Sequence, residues 1–351
     1  MAITTVSYKG RDYRVPVVSA KGLSNQRQLA ALASAPKYFS KDQLRSARVA
    51  TGITLEYTLH GTSFTSGPDD KTPVLPEDRV VLIMGFLQAK ESWAAVIDLL
   101  LEKYSKPQED GKRKNVKILC FDNRGVGGSS TPWWRYRTSQ MAQDTLALMD
   151  HVGWDAANVV GVSMGGMISL ELASAAPQRV KSLSLIVTTR GKYKPDPRSS
   201  VPLRKSTFAK DPIEGVTNLL ELLYPLETIR ESHMDSGKSV YDALFAFHKE
   251  GRKVRVQPGI FGMIGQLLAI RTHFVSDERL IGIKNAGFPV LLIGSMKDIL
   301  IPPIESIKLM DRMEADHVHT LFFETGGHGV TIQYVEEVSD GIISTLQRAK
   351  L

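Results

Sequence analysis

Gly161-Val162-Ser163-Met164-Gly165-Gly166 lies between the apolar run Asn158-Val159-Val160 and a helical pattern running from Met164 to Ala176. A buried strand that passes through so short a turn straight into a helix predicts a sharp elbow with the serine at its tip. Side chains at 161 and 165 would collide with neighbouring backbone in that turn, and glycine removes the collision. The elbow lifts the Ser163 hydroxyl above the carboxyl edge of a sheet, at the amino end of a helix. Unsatisfied N–H groups there favour developing negative charge. An ordinary Gly-rich turn with a solvated serine would contain the same six residues, so the surroundings must decide.

Outward from the elbow, short apolar runs alternate with amphipathic stretches. Arg79 to Met84, Val116 to Phe121, Val180 to Val187, Phe288 to Gly294 and Thr320 to Phe323 read as buried strands. Trp93 to Tyr104 and Ser139 to Val152 read as helices. This alternation predicts an α/β fold with a mostly parallel sheet flanked by helices. Ile53 to Leu59 alternates polar and apolar residues, as an antiparallel strand near one edge would. Two polar stretches, Ser63 to Asp78 and Ser105 to Asn115, read as solvated loops. The strand rhythm breaks between Arg190 and Ala286, where helical patterns at Ile213 to Leu223, Ser239 to Glu250 and Phe261 to His273 predict an inserted helical cap. The expected organisation is an amino-terminal extension over 1–50, a core over 51–189 and 287–351, and the cap over 190–286.

The 351 residues are 42% hydrophobic and 23% charged, enough for one large core with an insertion. A net charge of +7 is modest for this length, and no Lys/Arg run is interleaved with aromatics. Nucleic-acid binding is therefore not expected. No apolar segment reaches membrane-spanning length, so no transmembrane segment is expected. The amino terminus shows no basic region followed by an apolar stretch, so no secretory leader is expected. The lone Cys120, inside the run Val116 to Phe121, reads as a small buried hydrophobe. His60, His317 and His319 read as surface residues.

Separated segments, in order and spacing, resemble the α/β-hydrolase superfamily. Leu82-Ile83-Met84-Gly85-Phe86-Leu87 looks like its oxyanion loop, with Met84 where the family usually has histidine. Phe121-Asp122-Asn123-Arg124-Gly125-Val126-Gly127-Gly128-Ser129 matches the turn after the next strand. The elbow is the third. Leu291-Leu292-Ile293-Gly294-Ser295-Met296-Lys297-Asp298 and Gly326-Gly327-His328-Gly329 together match the acid and base segments. The resemblance covers about residues 53 to 348.

It implies a serine hydrolase, esterase- or lipase-like, with Ser163 as nucleophile, His328 as general base and Asp298 as the orienting acid. The chain order Ser163, Asp298, His328 is the one this fold uses. For Asp298, capping of the helix before Pro302-Pro303 is the competing reading. The backbone N–H groups of Phe86 and Met164 are the implied oxyanion donors. Leu87, Trp133 and Phe261 are candidate pocket residues, with packing between cap and core as the plainer role for Trp133. Asp122 and Arg124 are expected to hold their turn. The expected reaction is hydrolysis of a small apolar carboxylic ester or thioester through an acyl-serine, with no cofactor and no metal. An acyltransferase using the same triad, a peroxide-forming or C–C bond-cleaving member of the fold, or a ligand-binding receptor or scaffold retaining the triad, are the alternatives. Ala349-Lys350-Leu351 resembles a carboxyl-terminal peroxisomal address, which would engage an import receptor in a eukaryotic source and carry lipid-metabolic enzymes there; otherwise the chain is expected in the cytoplasm.

Overall fold

Uninterrupted apolar runs must be covered on both faces, and they form the middle of one ten-stranded sheet. The computed structural model describes residues 2–63, 74–107, 112–133, 135–254 and 259–349. Its strands are β1 (Ala2–Tyr8), β2 (Arg11–Val18), β3 (Arg45–Arg48), β4 (Thr54–Gly61), β5 (Val74–Ile83), β6 (Arg113–Phe121), β7 (Ala157–Val162), β8 (Val180–Ile186), β9 (Val290–Ser295) and β10 (Val318–Phe323). They lie in the order β1-β2-β10-β9-β8-β7-β5-β6-β4-β3. Every pairing from β2 to β6 is parallel, and the pairs β1/β2, β6/β4 and β4/β3 are antiparallel.

Alternate residues of a strand face opposite sides, and the two apolar layers follow that rule. Val80 and Leu82 pack with the helices Ala94–Tyr104 and Val335–Arg348. Val81 and Ile83 pack with the helices Thr138–His151 and Met164–Ala175 on the other face. Cys120 is fully buried, and burial pushes its thiol well up, as for a small hydrophobe.

The first fifty residues supply strands to both edges, β1 and β2 beside β10 and β3 beside β4. Their short alternation gave no pattern as clear as the central runs. The antiparallel Ile53 to Leu59 stretch is one strand in from the edge. Both polar loops give way to strand earlier than expected. Val74 and Leu75 pair with Arg113 and Lys114, and a buried Lys114–Asp78 ion pair at 2.8 Å lets these charged ends join the sheet. His60 is not a surface residue. Tyr38 and Phe39 cover its outward face edge-on, with ring centroids 5.3 and 5.5 Å away, and its Nε2 lies 2.8 Å from Thr58 Oγ1.

Between β8 and β9 the chain forms the helices Ser200–Phe208, Pro212–Leu223, Leu226–Glu231, Val240–Val254, Ile260–Thr272 and Asp277–Asn285. Leu280 and Ile283 of the last belong to the core layer beneath the sheet. Lys350 and Leu351, on which the peroxisomal reading turns, lie outside the described residues, as does Trp134. Among the described residues no helix is long and apolar enough to cross a membrane.

Candidate active site

The chain steps from β5 to β6 in one direction and from β7 through β10 in the other. A crevice opens where such a sheet reverses, outside the carboxyl ends of its strands. The loops after β5, β7, β9 and β10 all emerge at those ends, and they carry Phe86, Ser163, Asp298 and His328.

Ser163 occupies φ 56°, ψ −119°, a conformation that a side chain rarely tolerates. The strain is held from several sides. Ser163 N–H donates to Ile186 C=O at 2.9 Å, and its own C=O accepts from Thr188 Oγ1 at 2.7 Å and from Gly166 N–H at 3.0 Å. A Cβ at Gly165 would run into the carbonyl of Ile83, so only glycine lets the helix start this close to β5. The Met164 N–H is the first of the helix Met164–Ala175 and has no acceptor within it.

Asp298 and His328 meet: Nδ1 of the imidazole is 2.7 Å from Asp298 Oδ2, and both side chains are buried. The other carboxylate oxygen, Oδ1, accepts from the N–H groups of Leu300 (2.8 Å) and Ile301 (3.0 Å). Asp298 thus secures its own loop with one oxygen and the histidine with the other. A helix cap is not its role, because the helix Pro303–Met313 begins after Pro302. With Nδ1–H donating to the carboxylate, Nε2 of the neutral ring is left as a base. Lys297 N–H donates to Gly326 C=O at 3.0 Å and ties the two loops together. Among the described residues Ser163 Oγ has no hydrogen bond to His328. Tyr193 lies nearby, its phenol pushed up by burial and then by the Asp298 and Glu305 charges, which keeps it neutral.

The loop after β5 is anchored by residues that sequence reasoning passed over. Asn123 Nδ2 donates to Met84 C=O at 2.8 Å. Lys90 is buried, with Nζ 2.9 Å from Asp122, 2.6 Å from Glu56 and 3.1 Å from Glu91. Asp122 also accepts from the N–H groups of Lys90 and Gly128, and Arg124 is bidentate on Asp144. Asp122 and Arg124 hold their turn, as expected. Leu87 is half-buried beside this loop, but Trp133 and Phe261 are 70% and 61% exposed. Two surface depressions of about 300 and 330 Å³ lie elsewhere, one around Tyr8, Arg11 and Arg190, the other around Lys103, Lys106 and Lys114.

A sheet of this order, with a strained serine after one strand and a buried acid–histidine pair after two others, defines an α/β-hydrolase architecture. The family model described as alpha/beta hydrolase fold matches residues 78–333, and the chain belongs to that family as one of its hydrolases. RutD of Caulobacter vibrioides, whose name gives carbamate hydrolysis as an inferred activity, is 27% identical over 311 residues, 87% of this chain and 100% of that protein. A thermophilic esterase from Thermogutta terrifontis shares the fold with a TM-score of 0.63 at 18% identity, over 88% of this chain and 100% of its own. The enol-lactonase of Burkholderia xenovorans LB400 gives a TM-score of 0.62 at 19% identity, over 86% and 100%. These proteins come from bacteria, which leaves the peroxisomal address without support.

Proposed function

We propose that this chain hydrolyses a carboxylic ester or thioester through an acyl-serine intermediate. Ser163 Oγ attacks the carbonyl carbon while His328 Nε2 takes its proton, and Asp298 stabilises the imidazolium. The carbonyl π electrons move to oxygen, and the N–H groups of Phe86 and Met164 hold that oxyanion. Collapse expels the alcohol or thiol, which leaves with the proton from His328. Water, deprotonated by the same nitrogen, then releases the acid and restores Ser163.

The observation that carries this reading is the strained Ser163 at the crevice together with the 2.7 Å Asp298–His328 contact. The same chemistry serves lactones and carbamates, the bonds named for two of the relatives. Residues 190–286 act as the cap over the crevice. Leu87 contacts the acyl group, and the exposed Trp133 and Phe261 border the approach to it rather than an enclosed chamber, which suits small apolar substrates.

Fluorophosphonate labelling of the intact chain, followed by a p-nitrophenyl ester chain-length panel, tests the proposal. Wild type should label and turn over, and Ser163→Ala should lose both, with a rate loss on the order of 10⁴-fold or more. Unchanged turnover in folded Ser163→Ala would remove Ser163 from the mechanism. Tight ligand binding without turnover would favour the receptor alternative, and product appearing on a competing alcohol rather than in water would favour acyl transfer.

A further inference from the structure

Gln266 belongs to the helix Ile260–Thr272, far in sequence from every loop of the crevice, and it is completely buried. A primary amide in such a place needs partners for its donor and its acceptor. Its Oε1 accepts from the Leu87 N–H at 2.8 Å, and its Nε2 donates to the Arg124 C=O at 2.9 Å. One side chain therefore bridges the loop after β5 to the turn after β6.

The contact falls on the peptide that follows Phe86. Leu87 sits at φ 54°, left-handed backbone that a leucine does not adopt unaided. The loop is pinned at its start by Asn123 on the Met84 C=O, and Gln266 pins it at its end. Between these two fixed points lies the Phe86 N–H. The acyl-serine reading assigns that N–H to the oxyanion, and the Leu87 N–H, committed to Gln266, fixes the peptide next to it. The helix can reach so deep because Gly262 meets Gly125 backbone to backbone; a Cβ at either would overlap the other.

We propose that Gln266 is a positioning residue for the oxyanion donor, setting the orientation of the Phe86 N–H by holding the Leu87 peptide. This rests on the acyl-serine reading above. Loss of the clamp frees the loop to relax from its left-handed turn and withdraws a donor from the developing oxyanion. Charge that appears only in the transition state is then less well stabilised, so kcat and kcat/KM fall together while KM changes little.

The test uses the full chain with Gln266→Met, which keeps the length and removes both hydrogen bonds, and Gln266→Glu, which keeps an acceptor for the Leu87 N–H. Rates per fluorophosphonate-titrated site on p-nitrophenyl butyrate are measured beside the inhibition constant of butylboronic acid, whose tetrahedral serine adduct mimics the intermediate. Gln266→Met should lower kcat by about 10- to 100-fold with KM within about 3-fold, and should weaken the boronic acid by a similar factor. Gln266→Glu should lie between Gln266→Met and wild type. Wild-type rate per site and wild-type boronic-acid affinity in Gln266→Met would overturn the proposal, whatever happens to its melting temperature. If Gln266→Met does not fold, Gln266→Ala, which also removes the acceptor for the Leu87 N–H, decides in its place, and per-site kinetics equal to wild type would overturn the proposal. Ser163→Ala runs in parallel: full activity there would sink the acyl-serine reading itself, whereas an inactive Ser163→Ala beside an unaffected Gln266→Met would sink only the role of Gln266.

Discussion

Lys90→Met is the most demanding test of how the loop after β5 is built. The Lys90 side chain is 2% exposed and that of its partner Asp122 is 0% exposed. Burial by itself would lower the Lys90 ammonium, but the Asp122 and Glu91 charges and the Glu56 hydrogen bond outweigh it and raise it. Methionine fills a similar volume and removes the charge. Glu56 and Glu91 are partly exposed and can hydrate, whereas Asp122 keeps only the Lys90 and Gly128 N–H groups. Stranding one member of a buried pair costs about 3–5 kcal/mol. Unfolding entropy of about 2.1 cal/mol/K per residue over 351 residues gives roughly 0.7 kcal/mol/K, so the melting temperature should fall by about 4–7 °C. Burial pushes the Asp122 carboxyl up even beside Lys90, loss of the opposing Lys90 charge pushes it up further, and a carboxyl raised in the folded state binds its proton before the unfolded chain does. The deficit against wild type should therefore shrink as pH falls from about 7.5 to about 5. Calorimetry at both pH values measures this. The double variant Lys90→Met/Asp122→Asn, which removes the stranded charge, should recover much of the loss. A melting temperature within about 1 °C of wild type for Lys90→Met at neutral pH would refute the reasoning.

Asp298→Asn should fold, because an amide oxygen can still accept from Leu300 and Ile301, while its NH₂ group turned toward His328 imposes the wrong tautomer; kcat should fall on the order of 10⁴-fold, and full activity would assign the orienting role to another carboxylate. His60 is held down to about 4 by burial. The unfolded ring, near 6.5, takes up a proton first as pH falls, so the stability contributed above that value is lost on the way down through pH 4. The loss is about 3 kcal/mol at pH 4. Urea unfolding of wild type and His60→Gln at about pH 7.5 and pH 4 should show a smaller acid loss in the variant, and parallel losses would show that His60 does not titrate in this way.

What the sequence disclosed and what it withheld divide along a physical line. The strands β5 to β10 were legible because burial on both faces demands uninterrupted apolar runs. The elbow and the Asp298–His328 loops were legible because they are short motifs at strand ends. β1 to β3 were missed because strands at and beside the sheet edges carry polar residues that look like loop. His60 was misplaced because its cover comes from Tyr38 and Phe39, which no local pattern connects to it. Asn123 stood in full view within a recognised turn, but its partner, the Met84 carbonyl, is a backbone atom with no trace in residue identity. Gln266 did leave a trace: it is the lone amide in the apolar stretch from Phe261 to Ile270, and a polar residue among so many apolar ones must be satisfied by something.

That trace bears on what the inserted helices do. A cap that only roofs the crevice would touch the core at its hinges. Here the helix Ile260–Thr272 reaches the loop after β5 through Gln266. The Leu223 C=O, at the end of the helix Pro212–Leu223, accepts from the Gly329 N–H at 2.9 Å, one residue beyond His328. Tyr224, fully buried and bonded through its hydroxyl to His248 Nε2 at 2.8 Å, fixes that helix end to the neighbouring helix Val240–Val254. Among the described residues the elbow is braced by the core, through Ile186, Thr188 and the close approach of Gly165 to β5. The loops bearing Phe86 and His328 each donate a backbone N–H to the insertion, one to the Gln266 side chain and the other to the Leu223 carbonyl. A change in the insertion made to admit a different substrate therefore also moves the groups proposed to receive the proton and the oxyanion, so selectivity and rate are not independent variables in this fold.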